Sequence, residues 1–584
     1  MTKTRFFYIV SMLFAAIGLC ARPARPVVRT VTNSDGSSFN ILLRGDESFH
    51  FYTTEDGTPV LRDVNGNYRL APQAADSIAN VWEARRRQRN AMQEARTKKV
   101  IRKRIWGEPS SYVGEKKGIV ILVSFPDYPF LEQHNSDVFH DMFNKKGYNK
   151  NGFQGSVHDY FYDQSYGQFS LTFDIYGPIK ASHQRSYYGR NTSQGDDRRV
   201  ATLAAEACLQ ANNLYDINWD AYDWDSDGEV DQVYIIFAGH GEEEGASSDA
   251  IWSHMWTLDE GMEYDDGNGA IVLERKRINT YAMSCELSSN KGTELNGIGS
   301  ACHEFSHCLG LPDFYDTSYD GGFGMNAWDL MASGSYNGAK SKGECPAGYT
   351  AYERWLAGWL EFTPLLHPTT IQDMPALQDT AVAYIIRNEG NPNEYFVLEN
   401  RQAQGWFKYV NTYSSCHGLL VYHVDYDAQA WEENTPNNMA EHQRMSIIPA
   451  SGKYGTLHGT RDNRYYHVTE DQYRAHLFPG SQNIHELTDT SHAHCGAQLF
   501  HFNTDGTRHM GKPITDISEH DGRISFNFMG GAAQAITSPH VNSQEGTSAP
   551  SYYTLSGIPV ATPKQSGIYL KKQGESTQKI FFAP

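Results

Sequence analysis

Nowhere in this chain do two cysteines stand as Cys-x-x-Cys, which makes a cysteine-built zinc ribbon an unsuitable reading. Beyond the first twenty residues there is no apolar run long enough to cross a bilayer, so no integral membrane span is expected. Positive charge is in deficit. With 50 Lys and Arg against 69 Asp and Glu, the formal net charge is -19, and such a surface repels the phosphates of a nucleic-acid partner. No internal repeat is visible. What is present is a hydrophobic content of 40%, an aromatic content of 13% and only 20% charged residues, the mixture of a globular, strand-rich protein and not of a disordered one. At 584 residues the chain is too long for one ordinary domain, and three or four folded units are expected.

The N-terminus reads as a secretory signal peptide. Lys3 and Arg5 precede an apolar run, Phe6 to Leu19, that is short for a span, and Ala21 marks the expected cleavage site, so residues 1–21 are set apart. Cys20 also allows a lipid-anchored reading, although bulky Leu19 before it fits lipid attachment poorly. An extracellular or cell-surface location follows. Removal of Cys20 leaves cysteines at 208, 285, 302, 308, 345, 416 and 495. An oxidising compartment permits disulfides, but an odd number leaves at least one thiol unpaired. Cys302 and Cys308 read as small buried hydrophobes.

Residues 22–112 are expected to be a separate N-terminal unit. Strand-like pieces (Phe39–Leu43, Phe49–Tyr52) are punctuated by the turn dipeptides Asp56-Gly57 and Asn65-Gly66. A basic helical stretch from Glu83 to Arg104 follows. It reads either as a solvated linker helix or as a protease-sensitive hinge, since exposed Arg and Lys suit trypsin-like cleavage. Residues 113–364 open on the buried-strand run Gly118–Ser124. They continue with a helix near Phe153–Phe161 started by Ser156, a helix over Arg198–Asn212, a strand over Val230–Ala238 and a helix over Gly297–Leu309. Residues 365–530 show short strands such as Glu394–Leu398 and Gly418–His423. A linker (531–550) and a last β segment (551–584) complete the chain.

The chemistry concentrates in His303-Glu304-Phe305-Ser306-His307. Two histidines four residues apart on a helix project to one side, where their imidazoles can hold one zinc ion. Zinc needs a third protein ligand and keeps one position open. Gly310 turns the chain out of the helix and Asp313 follows, ten residues after the first His; Glu344 and Glu353 are the alternatives, but neither has the helix context that a distant glutamate ligand needs. Glu304 is placed to act as general base, taking a proton from the attacking water and returning it to the leaving amine. A bare His-Glu-x-x-His arises by chance in roughly one chain in twenty of this size, and the Gly and Asp offsets lower that to roughly a few in ten thousand.

His303-Glu-Phe-Ser-His-Cys-Leu-Gly-Leu-Pro-Asp313 followed by Trp328-Asp-Leu-Met-Ala-Ser-Gly334 resembles the immune inhibitor A family of secreted metallopeptidases, relatives of the metzincins. The similarity extends over roughly residues 115 to 530 and includes Gly155–Gly167, Ile251–His254 and Tyr395–Arg401. It implies an α+β fold: a metzincin-like zinc peptidase domain, an N-terminal prodomain over 22 to about 110, and C-terminal β-rich, sandwich-like domains. It also implies that Asp313 replaces the commoner third histidine and that Met331 forms the methionine turn beneath the metal. The N-terminal unit has no cysteine after residue 20, which excludes silencing of zinc by a prodomain thiolate. His254 reads as a structural histidine.

Asp223, Asp225, Asp227 and Asp231, with Gly228 between them, resemble the start of a calcium loop that lacks a glutamate at the twelfth position; the bland reading is a solvated acidic turn. Glu242-Glu-Glu244 is a second acidic spot with no spacing to interpret. The tail Tyr552–Val560 and Gly567–Lys572 is similar to C-terminal sorting domains of the type IX secretion pathway of Bacteroidetes, which implies contact with that machinery. The reading that unites these features is an exported zinc endopeptidase acting on proteins or peptides, activated by another protease. The competing one is a non-catalytic surface binding protein or adhesin on the same fold. Intact Glu304 favours the first.

Overall fold

The computed structural model describes residues 22–46, 49–63, 65–75, 78, 112–192, 196–264, 266–319, 321–459, 464–491, 508–531 and four strands within 551–582. The expected signal peptide, the basic stretch 83–104, Cys495 and all of the expected linker 531–550 but its first residue lie outside the described residues. The chain divides into two compact units, residues 1–532 and 533–584.

The first unit opens with five antiparallel strands in sequential order: β1 (Arg29–Thr32), β2 (Ser38–Asp46), β3 (Phe49–Thr53), β4 (Pro59–Arg62) and β5 (Tyr68–Leu70). The two expected turn dipeptides lie in the hairpins β3–β4 and β4–β5, closed by Thr54 N–H to Thr58 O and Asp63 N–H to Asn67 O.

The central sheet has the order β7 (Phe169–Lys180), β6 (Gly114–Ser124), β8 (Val233–His240), β10 (Thr280–Leu287), β9 (His254–Thr257). Its first three pairings are parallel and the last is antiparallel. Strands and helices alternate through it, so the unit is mixed α/β. The run Ile119-Val-Ile-Leu-Val123 is buried on both faces, as a parallel interior strand requires. Alternation divides it cleanly. Ile119, Ile121 and Val123 join one core with Val200, Leu203, Ala204 and Ala207 of α3 (Val200–Leu214). Val120 and Leu122 join the other with Ile298, Ala301, Cys302 and Phe305 of α4 (Ile298–Cys308). Helices α1 (Ser136–Asn144) and α2 (Val157–Gln164) flank that second face. α2 begins after Ser156, not at Phe153, because Ser156 caps it in a reciprocal box with Asp159.

The second core does not stop at residue 364. It continues through Tyr395, Val397, Leu420, Tyr422 and Val424 on the strands Glu394–Arg401 and Gly418–Asp425. The other face of these strands, with Phe396, Leu398, Leu419 and Val421, shares a third core with Ile371, Ile514, Ile524, Phe526 and Phe528 of a separate three-stranded sheet. The unit 533–584 is a four-stranded antiparallel sheet, in the order Pro559–Val560, Ser551–Thr554, Gly567–Gln573, Ser576–Phe582.

Candidate metal centre

Every residue of α4 is buried. Its first turn lies so close to the loop 335–343 that a Cβ on Gly299 would stand 1.9 Å from Ser335 O. At the other end Leu309 caps the helix, and Gly310, with φ +93°, takes the left-handed conformation that turns the chain toward Asp313.

His303 and His307 point their Nε2 atoms at each other, 3.2 Å apart. Asp313 Oδ1 stands 3.2 Å from the first and 3.5 Å from the second. Each histidine donates from Nδ1 to a backbone carbonyl at 2.8 Å, His303 to Leu330 O and His307 to Leu311 O. A carbonyl only accepts, so both Nδ1 atoms carry the proton and both Nε2 atoms present lone pairs. Burial keeps the His303 imidazole neutral by pushing its pKa down to about 3. Two imidazole lone pairs and a carboxylate oxygen facing one another repel unless a cation lies among them. The spacings match the edge of a tetrahedron with zinc–ligand bonds of 2.0–2.1 Å, about 3.3 Å. The donor set therefore fits zinc. Asp313 is held by Asn434, whose Nδ2 donates to Oδ2 at 2.7 Å while its Oδ1 accepts the Asp313 N–H at 2.6 Å. Met331 follows Leu330, is fully buried, and has its carbonyl bonded by Phe314 N–H.

Glu304 shares the cluster with the two histidines. Burial, then the nearby Asp313, pushes its pKa well above the usual carboxylate range. Its Oε1 accepts the backbone N–H of Arg22 at 3.1 Å, while Oε2 is buried with no hydrogen-bond partner among the described residues. Residues 22–25 thus lie in the site. Arg22 O accepts from Trp252 Nε1 at 3.3 Å, Pro23 O from Tyr336 Oη at 2.8 Å, and Arg25 N–H donates to Glu243 O at 3.1 Å. The Arg22 side chain is fully buried, with Nη2 3.4 Å from Glu244 Oε1 and its guanidinium carbon 3.6 Å from the centre of the Tyr336 ring.

Glu344 and Glu353 sit elsewhere. Glu344 accepts the N–H groups of Lys340 and Lys342, and Glu353 completes the capping box of the helix Ala351–Leu356. His254 is a structural histidine: its ring bonds Trp252 O at 2.7 Å and Tyr281 Oη at 3.2 Å, and burial lowers its pKa to about 4. Asp223, Asp225 and Asp227 gather donor atoms within 4.8 Å of one another, and Asp231 stands outside that group with Oδ2 accepting Trp224 N–H. Lys276 Nζ lies 2.7 Å from Asp223 Oδ2 and bridges to Asp220. The six described cysteines are all buried, and no disulfide joins two of them.

Sequence reasoning missed Asn434 and the roles of Glu243, Glu244 and Tyr336. Asn434 lies 121 residues from Asp313, and no local pattern links them. The Glu242–Glu244 cluster was visible, but only the folded chain brings Arg22 to it.

Residues 110–358 match the family described as immune inhibitor A peptidase M6, catalytic domain. Among relatives, the pre-pro-metalloprotease PrtV of Vibrio cholerae serotype O1 is 30% identical over 287 residues, which covers 43% of this chain and 30% of that protein. Immune inhibitor A of Bacillus thuringiensis subsp. alesti is 26% identical over 275 residues, 41% of this chain and 39% of its own length. The chain thus spans well under half the length of these curated relatives. No described helix is long and apolar enough to cross a membrane. The part of the chain that carries the histidines, Glu304 and Asp313 is therefore similar to a peptidase M6 catalytic domain.

Proposed function

We propose that this chain is an exported zinc endopeptidase that hydrolyses peptide bonds of extracellular proteins, with His303, His307 and Asp313 as zinc ligands and Glu304 as general base. The observation that carries this reading is the convergence of three lone-pair donors at tetrahedral spacing beside a buried carboxylate. Zinc bound there supplies a Lewis acid and lowers the pKa of a water to about 7. Glu304 takes the proton of the attacking water and delivers it to the departing nitrogen. Burial makes the carboxyl a good proton carrier, because it raises its affinity for the proton. Leu311 O, Leu330 O and Asn434 keep the ligands oriented, and Met331 underlies them as the methionine turn.

The same reading makes residues 22–112 a prodomain, which the contacts of Arg22 N–H with Glu304 and of Pro23 O with Tyr336 support. It includes a structural calcium at Asp223, Asp225 and Asp227, and a C-terminal β segment that addresses type IX secretion.

The test is casein cleavage by the protein lacking residues 1–21, before and after trypsin treatment. Glu304→Gln should lower turnover by roughly 10²–10⁴-fold while one zinc per chain is retained, and chelation should abolish activity that zinc restores. A zinc-loaded, trypsin-treated protein that cuts nothing would move the reading to a surface binding protein.

A further inference from the structure

Hydrolysis of a peptide breaks the bond between a carbonyl carbon and the nitrogen of the next residue. The water oxygen goes to that carbon, and the proton goes to the departing nitrogen, carried there by the general base. On the reading proposed above, the nitrogen within hydrogen-bond reach of Glu304 is therefore the nitrogen of the residue after the cut. Arg22 N occupies that spot, 3.1 Å from Glu304 Oε1. Its side chain then marks where the side chain of that substrate residue goes.

We propose that Glu244, Glu243 and Tyr336 form a pocket for the residue after the scissile bond, and that the pocket selects arginine, so that the enzyme cuts on the N-terminal side of Arg. This inference rests on the peptidase reading and adds its substrate class.

The pocket meets the guanidinium through one nitrogen and one face: Nη2 reaches Glu244 at 3.4 Å and the plane lies on Tyr336, while Nε and Nη1 are buried with no hydrogen-bond partner among the described residues. Glu244 is fully buried and receives Arg22 Nη2. Its other oxygen is fixed by Ser289 N–H at 2.6 Å; Arg25 Nη1, 3.1 Å from the same oxygen, belongs to the N-terminal segment and leaves with it. Glu243, also fully buried, is fixed by Ser253 Oγ at 2.6 Å and Ser253 N–H at 3.2 Å, and adds a second carboxyl to the same pocket. Burial pushes the Glu243 carboxyl up, and Glu244 pushes it further. The Tyr336 ring forms a flat wall at 3.6 Å from the Arg22 guanidinium carbon. A planar cation stacks on such a wall, whereas an ammonium is more strongly hydrated and gains less. Arginine should therefore be preferred over lysine, and an apolar residue there would leave buried carboxylates without a cation. The backbone partners of the segment, Trp252 Nε1, Tyr336 Oη and Glu243 O, are equally available to a substrate running the same way.

The alternative that the test must separate is that Glu244 holds residues 22–25 and has no part in substrate choice. Trypsin-treated protein separates the two. Casein is digested and the new N-termini are identified by mass spectrometry. Quenched peptides that differ only in Arg, Lys or Leu after the cut are then compared by kcat/KM. The expected result is Arg at the head of most new N-termini and at least about a tenfold preference for Arg over Leu, equal to about 1.4 kcal/mol. Glu244→Gln should lower that ratio about tenfold, and Glu244→Asp should retain part of it. Cleavage without Arg bias, or a ratio that Glu244→Gln leaves unchanged, overturns the pocket and leaves the peptidase reading standing. If no peptide is cut, the peptidase reading fails, and calorimetry with Arg-Pro-Ala-Arg-Pro and Leu-Pro-Ala-Arg-Pro decides the pocket: tighter binding of the first supports it, and equal binding overturns it.

Discussion

At the scale of single residues, His303, His307 and Asp313 are each held by a group outside the cluster: Leu330 O, Leu311 O and Asn434. Asn434 grips Asp313 from both sides, through its backbone N–H and its Oδ2. Without that grip the carboxylate can rotate away from the two imidazoles. Asn434→Ala should therefore weaken zinc affinity by about 10–100-fold, as loss of such supporting contacts does. Titration against a competing chelator measures this, and unchanged affinity would refute the positioning role. The convergence of His303 and His307 was legible in the sequence because helical periodicity sends two histidines four apart to one side. Asn434 was not, since its partner is 121 residues away and only packing brings the two together.

At the scale of elements, α4 was readable almost to the residue. A helix that must end at Gly310 and be followed by Pro312 leaves little freedom, and Gly310 has the positive φ that such an end demands. The acidic turn is a different matter. Asp223, Asp225 and Asp227 crowd together before β8, and Lys276 offsets part of their repulsion from a neighbouring strand. Calcium at this turn should raise the melting temperature, and the shift should vanish in Asp225→Asn with Asp227→Asn. A melting temperature that is the same with calcium and with a chelator would leave Lys276 as the counter-charge of the loop. Sequence spacing suggested four aspartates; the turn gathers three, because Asp231 is drawn toward the Trp224 N–H.

At the scale of the molecule, the N-terminal sheet and the central sheet belong to one unit, and the segment before β1 lies against Glu304 and Trp252. Protein carrying residues 22–112 should therefore be at least about tenfold less active on a small peptide than the trypsin-treated form; equal rates would argue against latency. The contact also has a pH dependence. His50 bonds Glu242 Oε1 at 2.9 Å, close to Asn191. Burial opposes its charge, but Glu242 outweighs this and holds its pKa above 6.5. A raised histidine pKa contributes stability that is complete below 6.5 and is lost as pH rises through the folded value. Asp197 is pushed well up, first by burial and then by Glu242, and this acts in the same direction. The full-length protein should melt at a higher temperature near pH 6 than near pH 8.5. His50→Gln should flatten the difference, and an unchanged difference would assign it to other groups.

The sequence by itself determined the helix that carries His303, Glu304 and His307, its stop at Gly310, the place of Asp313 ten residues after His303, and the alternation that sends Ile119, Ile121 and Val123 to one core and Val120 and Leu122 to the other. All of these follow from local periodicity and backbone geometry. Only the tertiary structure decided what surrounds them. It carried the second core across residue 364 into the strands at 394–401 and 418–425, brought Asn434 to Asp313, and laid Arg22 against Glu304 and Glu244. Contacts between residues more than a hundred positions apart follow from how buried faces fit together, and no pattern along the chain encodes that fit directly.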